Sequence, residues 1–328
     1  MAAALAAACS LGAEWDRLLE VRPEGMDLQR AQSSYEGEED ANYAPTSART
    51  ESGTWQKVSR AGGKLSARYG FINFNKDRLS VAYAMGEADF NRYLAGYGYT
   101  DAEMAALRDW KQKARTAEWN RAYASGGKAA AEKALAAVDL EYDTKLRGLL
   151  RSRGLALRAG NTIESDMPVV VKRNVAVLQP LALAIQKLGA EKGYDSEEMV
   201  GAVLSLVQTA IRYKIPPLVD GTLHTGGLLP PARAILSGWG DCDTKTGLVA
   251  SILSSWNSAR MIGVAVPGHY LMAIRRLPAK GDLFVRHEGL EYVLVEPAGP
   301  AWLEPGQVGR HTVELLNGAE GYQLEPFF

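Results

Sequence analysis

Only two cysteines, Cys9 and Cys242, occur in 328 residues. So few thiols exclude a disulfide-stapled scaffold and any zinc or iron–sulfur site built from several cysteines. The chain also lacks a surplus of charge of either sign: 37 Lys and Arg face 38 Asp and Glu, for a net charge of -1. Without a basic surplus the main electrostatic drive toward nucleic acid is missing, so nucleic acid is not an expected partner. No uninterrupted apolar run reaches the roughly 18–20 residues that span a bilayer. Internal repeats and a glycine-rich phosphate loop of the usual spacing are also missing. What remains is ordinary globular material, 47% apolar and 23% charged, which can form a core.

The start, Met1-Ala-Ala-Ala-Leu-Ala-Ala-Ala-Cys9-Ser, supports two readings. Small residues leading to a cysteine resemble the end of a bacterial lipoprotein signal. A lipidated Cys9 then anchors the protein to a membrane, in the periplasm or at the outer membrane. The stretch is short and lacks a positive n-region, so the other reading is an Ala-rich helix start in a cytoplasmic protein. Residues 31–66 are rich in Ser, Gly, Glu, Asp and Thr and read as loop. Tyr69–Ala84 reads as two strands around an Asn75–Asp77 turn.

Helices follow. Thr100 and Glu103 form a capping box, each satisfying an amide of the other's turn. Ser125-Gly-Gly127 separates this helix from a second over about 128–153, giving a helical hairpin whose Lys111, Lys113, Arg115 and Arg121 read as a solvated face. A third helix is expected over about 168–188, capped by Asp166, with Pro180 kinking it or ending its first half. The fourth starts at Asp195-Ser-Glu-Glu198, lines Met199, Val203, Leu204, Val207 and Ile211 on one face, and ends before Pro216. Strands are expected at 261–266, 269–274, 282–287 and 291–295, the last two joined through Glu288-Gly289. The reading divides the chain into an N-terminal segment (1–66), a hairpin and helical-hairpin region (67–160) and a catalytic domain (161–328).

The chemistry is concentrated in the last third. Cys242 opens an apolar helix, with Asp241 as its N-cap and Gly238-Trp239-Gly240 as the approach loop. First-turn amides and the positive end of the helix dipole favour a thiolate and can hold an oxyanion. Alkylation of Cys242 against pH discriminates: a midpoint well below the free-cysteine value of about 8.5 supports a thiolate pair, and ordinary thiol behaviour favours a non-catalytic binding module. His269 opens a strand after Pro267-Gly268, and Glu296 ends one before Pro297. Taken singly, each has a bland explanation: a buried small thiol, a core histidine, a surface carboxylate. Taken together, the order Cys, His, acid at three element ends suits a nucleophile, a base and a group that orients the base.

These pieces, Gly240-Asp-Cys242, Pro267-Gly-His269 and Tyr292-Val-Leu-Val-Glu-Pro297, resemble the bacterial transglutaminase-like superfamily over roughly residues 195–310. Many members have Asp where this chain has Glu296, and further acidic residues where it has Asp243-Thr244. The resemblance implies an α+β fold with a papain/transglutaminase-like core, a catalytic helix packed on an antiparallel sheet, preceded by a mostly helical N-terminal region. It implies a cysteine-dependent amide hydrolase or acyl transferase acting on a protein or peptide, with Cys242, His269 and Glu296 as triad. Trp239 and Asp243 are supporting residues, and Gln208 is either a side-chain oxyanion donor or a helix-surface amide. No organic cofactor is implied. Asp241 and Asp243, with His269 and Glu296, offer a structural-calcium alternative, though two carboxylates at a helix start are more simply caps. The other function class is a catalytically inactive module of the same scaffold that binds a protein or peptide.

Overall fold

The computed structural model describes residues 53–158, 161–256 and 259–327. Expectations for Cys9 and for most of the N-terminal segment lie outside the described residues. The described chain is α+β. It begins with an antiparallel meander, β1 (Trp55–Ala61), β2 (Lys64–Ile72) and β3 (Arg78–Gly86). Along β3, Leu79, Val81 and Tyr83 are buried while Ser80, Ala82 and Ala84 are exposed, the period of a sheet covered on one face.

After α1 (Glu87–Leu94) and the short β4 (Tyr99–Thr100), the Thr100–Glu103 capping box starts α2 (Asp101–Ser152). Gly127, at φ +67 and ψ -161, breaks α2 and folds its second half back on its first. Lys111 and Arg115 both pair with Asp139, at 3.0 and 2.6 Å. Two of the cations expected on a solvated face thus clamp the hairpin. The β5 (Leu155–Leu157) and β6 (Ile163–Ser165) pair leads into α3 (Met167–Lys192), capped by Asp166. Pro180 does not end α3. Burial of Leu178, Leu181, Ala182 and Ile185 outweighs the one backbone hydrogen bond that a proline removes. By length and composition α3 could cross a bilayer. In this fold it lies in the core, with Val170, Val171 and Leu178 fully buried.

Helix α4 (Ser196–Ala210) ends earlier than expected. Ile211 is extended, and Arg212–Tyr213 form strand β7. Then come β8 (Val219–Asp220), β9 (Leu223–His224), α5 (Pro231–Ser237), β10 (Trp239–Gly240) and α6 (Cys242–Leu253). The remaining elements are β11 (Met261–Val266), β12 (His269–Arg275), β13 (Phe284–His287), β14 (Leu290–Val295), α7 (Arg310–Leu316) and β15 (Gln323–Pro326). Five of these strands form an antiparallel sheet in the order β13-β14-β12-β11-β15.

Alternation along β12 divides the sheet's two faces. Tyr270, Met272 and Ile274 join the main core with Leu248, Val249 and Ile252 of α6. Leu271 and Ala273 join a second core with Val264, Leu294 and Leu316. The main core also contains Tyr69, Phe71, Val81 and Tyr83 of the meander. Two of these tyrosines reach helix carbonyls: Tyr69 Oη donates to the Ile235 carbonyl at 2.6 Å and Tyr83 Oη to that of Val177 at 2.9 Å. The meander is thus continuous in packing with the helices after residue 160.

Candidate active site

The site assembles where α6 begins. Asp241 caps the helix, its Oδ1 accepting from the Thr244 amide at 3.1 Å. The approach is tight: a Cβ on Gly240 would lie 2.4 Å from Thr244 Cγ2, so only glycine fits. Strand β10 is held parallel to β7, with Trp239 opposite Arg212 and Gly240 opposite Tyr213. Trp239 is half-buried and carries Lys214 Nζ 4.7 Å over its ring, so it braces the approach loop.

Strand β12 supplies the second member. Val266 pairs with His269, leaving Pro267-Gly268 as a two-residue turn, and Gly268 takes the φ of +71 that this turn requires. Strand β14 runs beside β12 in register, Met272 opposite Val295. Its end therefore delivers Glu296 next to His269. Nε2 of His269 lies 2.9 and 3.2 Å from the two Glu296 carboxylate oxygens. The histidine side chain is 1% exposed and the glutamate 2%.

Glu296 is further held by Thr312 of α7, whose Oγ1 donates to Oε2 at 2.7 Å. Burial acts to raise the Glu296 pKa. The His269 charge, the hydrogen bonds from His269 and Thr312 and the Ala298 amide overcome it, so the carboxyl titrates below its usual range. With Nε2–H donating to the carboxylate, Glu296 fixes the ring's tautomer and orientation, and a base role would use Nδ1.

Cys242 is 8% exposed and a free thiol. Its Sγ donates to Asp243 Oδ1 at 3.5 Å and meets the backbone N–H of Tyr270, the neighbour of His269, and the hydroxyl of Tyr213. The expected thiolate-favouring environment is reversed. Burial pushes the thiol well up, the carboxylates of Asp243 and Asp241 push it further, and the Tyr270 amide offsets only part. Burial and Asp241 also lift Asp243 to about 7. A helix start favours a thiolate only until nearby negative charge outweighs it.

Gln208 is neither an oxyanion donor nor a helix-surface amide. It is fully buried. Its Nε2 donates to the carbonyls of Glu296 and Leu303, at 2.8 and 3.0 Å, and its Oε1 accepts from the Leu303 amide at 3.0 Å. Both donors are spent on the chain that follows Glu296, which makes Gln208 a strut for the acid. Among the described residues no group of three or more His, Cys, Asp or Glu forms a metal-binding cluster.

Three residues at the site were not singled out from sequence. Thr312 lies 16 residues past Glu296, and Tyr213 sits at the end of a helical pattern. Lys245, one turn along α6 from Cys242, is fully buried, and among the described residues its Nζ has no hydrogen-bond partner. The one available signal was a lysine inside the apolar helix of Asp241-Cys-Asp-Thr-Lys245. Comparison of this chain with family models, with curated proteins and with solved structures found no match.

Proposed function

We propose that this protein is a cysteine-dependent acyl-transfer enzyme on a papain/transglutaminase-like core, acting on an amide bond of a protein or peptide. The observation that carries the reading is the buried His269–Glu296 pair, 2.9 Å apart, with the Cys242 thiol on the backbone N–H of Tyr270, the residue after His269. A carboxylate locking a buried imidazole next to a free cysteine is the arrangement that activates a nucleophile.

Because the thiol is held neutral, the reaction runs by general-base catalysis and not from a preformed thiolate–imidazolium pair. His269 takes the thiol proton as Sγ adds to the carbonyl carbon, then gives it to the leaving nitrogen. Water resolves the acyl-enzyme in a hydrolase and an amine resolves it in a transamidase. The two share this first half-reaction.

Burial and the carboxylates of Asp243 and Asp241, which push the thiol up, also favour a second reading, an inactive binding module. Treatment with p-nitrophenyl acetate followed by intact-mass measurement separates the two. The enzyme reading expects one acetyl group on the wild type and none on Cys242→Ala. An unmodified wild type that remains folded supports the binding module.

A further inference from the structure

Resting on the acyl-transfer reading, we propose that the Tyr213 hydroxyl is a catalytic residue: the side-chain donor that holds the substrate's carbonyl oxygen while Cys242 adds to it. Strand β7 fixes its position. The Arg212 amide donates to the Gly238 carbonyl at 3.0 Å and the Lys214 amide to that of Gly240 at 3.1 Å. Tyr213 is thereby clamped between two bonds to the catalytic approach loop, opposite Gly240. Its hydroxyl hydrogen-bonds the Cys242 side chain.

An atom bonded to the carbon that sulfur attacks lies about as far from sulfur as a hydrogen-bond donor resting on it. A donor on the sulfur is therefore poised for the oxyanion. Of the side chains that touch Sγ, Asp243 repels an oxyanion once ionised, whereas Tyr213 donates to it. Burial, with the nearby Cys242 and Asp241, holds the Tyr213 hydroxyl above the ordinary tyrosine range, so it keeps its proton through neutral pH. Gln208, the other side-chain candidate, has both amide hydrogens committed to carbonyls.

The step balances. As the S–C bond forms, the thiol proton passes to His269 Nδ1 and the carbonyl π pair moves onto oxygen, where Tyr213 O–H donates without giving up its proton. Collapse returns the pair, the C–N bond breaks, and His269 protonates the leaving nitrogen.

Two reagents on the full chain test this. p-Nitrophenyl acetate acylates Cys242 through an oxyanion; iodoacetamide alkylates it by displacement, without one. In Tyr213→Phe, acylation should slow by roughly 10- to 100-fold while alkylation at the same pH changes by less than about 3-fold. Equal changes in the two rates, or acylation that is unchanged or faster, overturn the proposal. Where Tyr213→Phe does not fold, 3,5-difluorotyrosine at position 213 takes its place. Its stronger donor should speed acylation alone, and parallel shifts in the two rates refute the assignment. A wild type that is not acylated removes the acyl-transfer reading and Tyr213's role with it. A wild type acylated no faster than Tyr213→Phe removes only the latter.

Discussion

Replacing Lys245 by methionine should make this protein more stable. The side chain is fully buried and its ammonium has no hydrogen-bond partner among the described residues. Burial drives its pKa from 10.5 down to about 7, even against the attraction of Glu296 and Asp241. In the unfolded chain the same amine stays protonated to about 10.4. At about 1.4 kcal/mol per pH unit, the drop corresponds to about 5 kcal/mol set against folding at low pH. Methionine matches the shape and carries no charge, so Lys245→Met should gain about 2–5 kcal/mol at pH 7, after allowance for relaxation around the amine.

The sign follows from proton counting. Between about pH 7 and 10 the unfolded chain binds more protons than the native one at this residue, so wild-type stability rises with pH. Chemical denaturation between pH 7 and 8.5 isolates this effect. Asp243, lifted to about 7, contributes an opposite slope mainly below that window. The Cys242 thiol, raised by burial, does so mainly above it. Wild type should gain roughly 1–2 kcal/mol across the window, and Lys245→Met should be nearly flat. A variant less stable than wild type at pH 7 would refute the reasoning, because it would make Lys245 a favourably paired ion.

Glu296→Gln keeps the shape but removes the charge that orients His269. Acylation by p-nitrophenyl acetate should slow by roughly 10²- to 10⁴-fold while Cys242→Ala is inert, and a rate within about 3-fold of wild type would show that the pair is only structural. Gln208→Leu deletes three hydrogen bonds, one to the Glu296 carbonyl and two to Leu303, and should cost about 2–4 kcal/mol in urea unfolding; a change below about 0.5 kcal/mol would remove its role as a strut. The alkylation rate of Cys242 should reach half-maximum above the free-cysteine value of about 8.5, because burial, Asp243 and Asp241 all oppose the thiolate. A midpoint near 6 would mean that the helix start outweighs both carboxylates.

The elements that position the site were legible where local rules act alone. The capping box at Thr100, the helix start at Asp195, the N-caps at Asp166 and Asp241, the Gly127 break and the Glu288-Gly289 turn all depend on residues within a few positions of one another. Each was found by spacing, and each is present. The order Cys242, His269, Glu296 could be read because strand ends and helix starts leave such marks. Local rules failed at Tyr213, where pairing with β10 draws a helical pattern into a strand, and at Pro180 they missed only in that α3 does not end there.

Sequence by itself determined the long helices, several caps and turns, and the strands around the site; the loop reading of residues 31–66 is corrected over its last part, where β1 (Trp55–Ala61) and the start of β2 form because the buried side of β2 packs on the helices. Only the tertiary structure decided the electrostatics and the contacts between distant segments. A helix start predicts a thiolate as long as the neighbours' charges and the burial are left out. Those are set by which strands pack against α6, and here they keep the thiol neutral. Thr312, Tyr213 and Gln208 reach the site from α7, β7 and α4, across 16, 29 and 88 residues of chain from the groups they hold. No periodicity reports such distances, because the bonds form only once the sheet and helices have closed around one core.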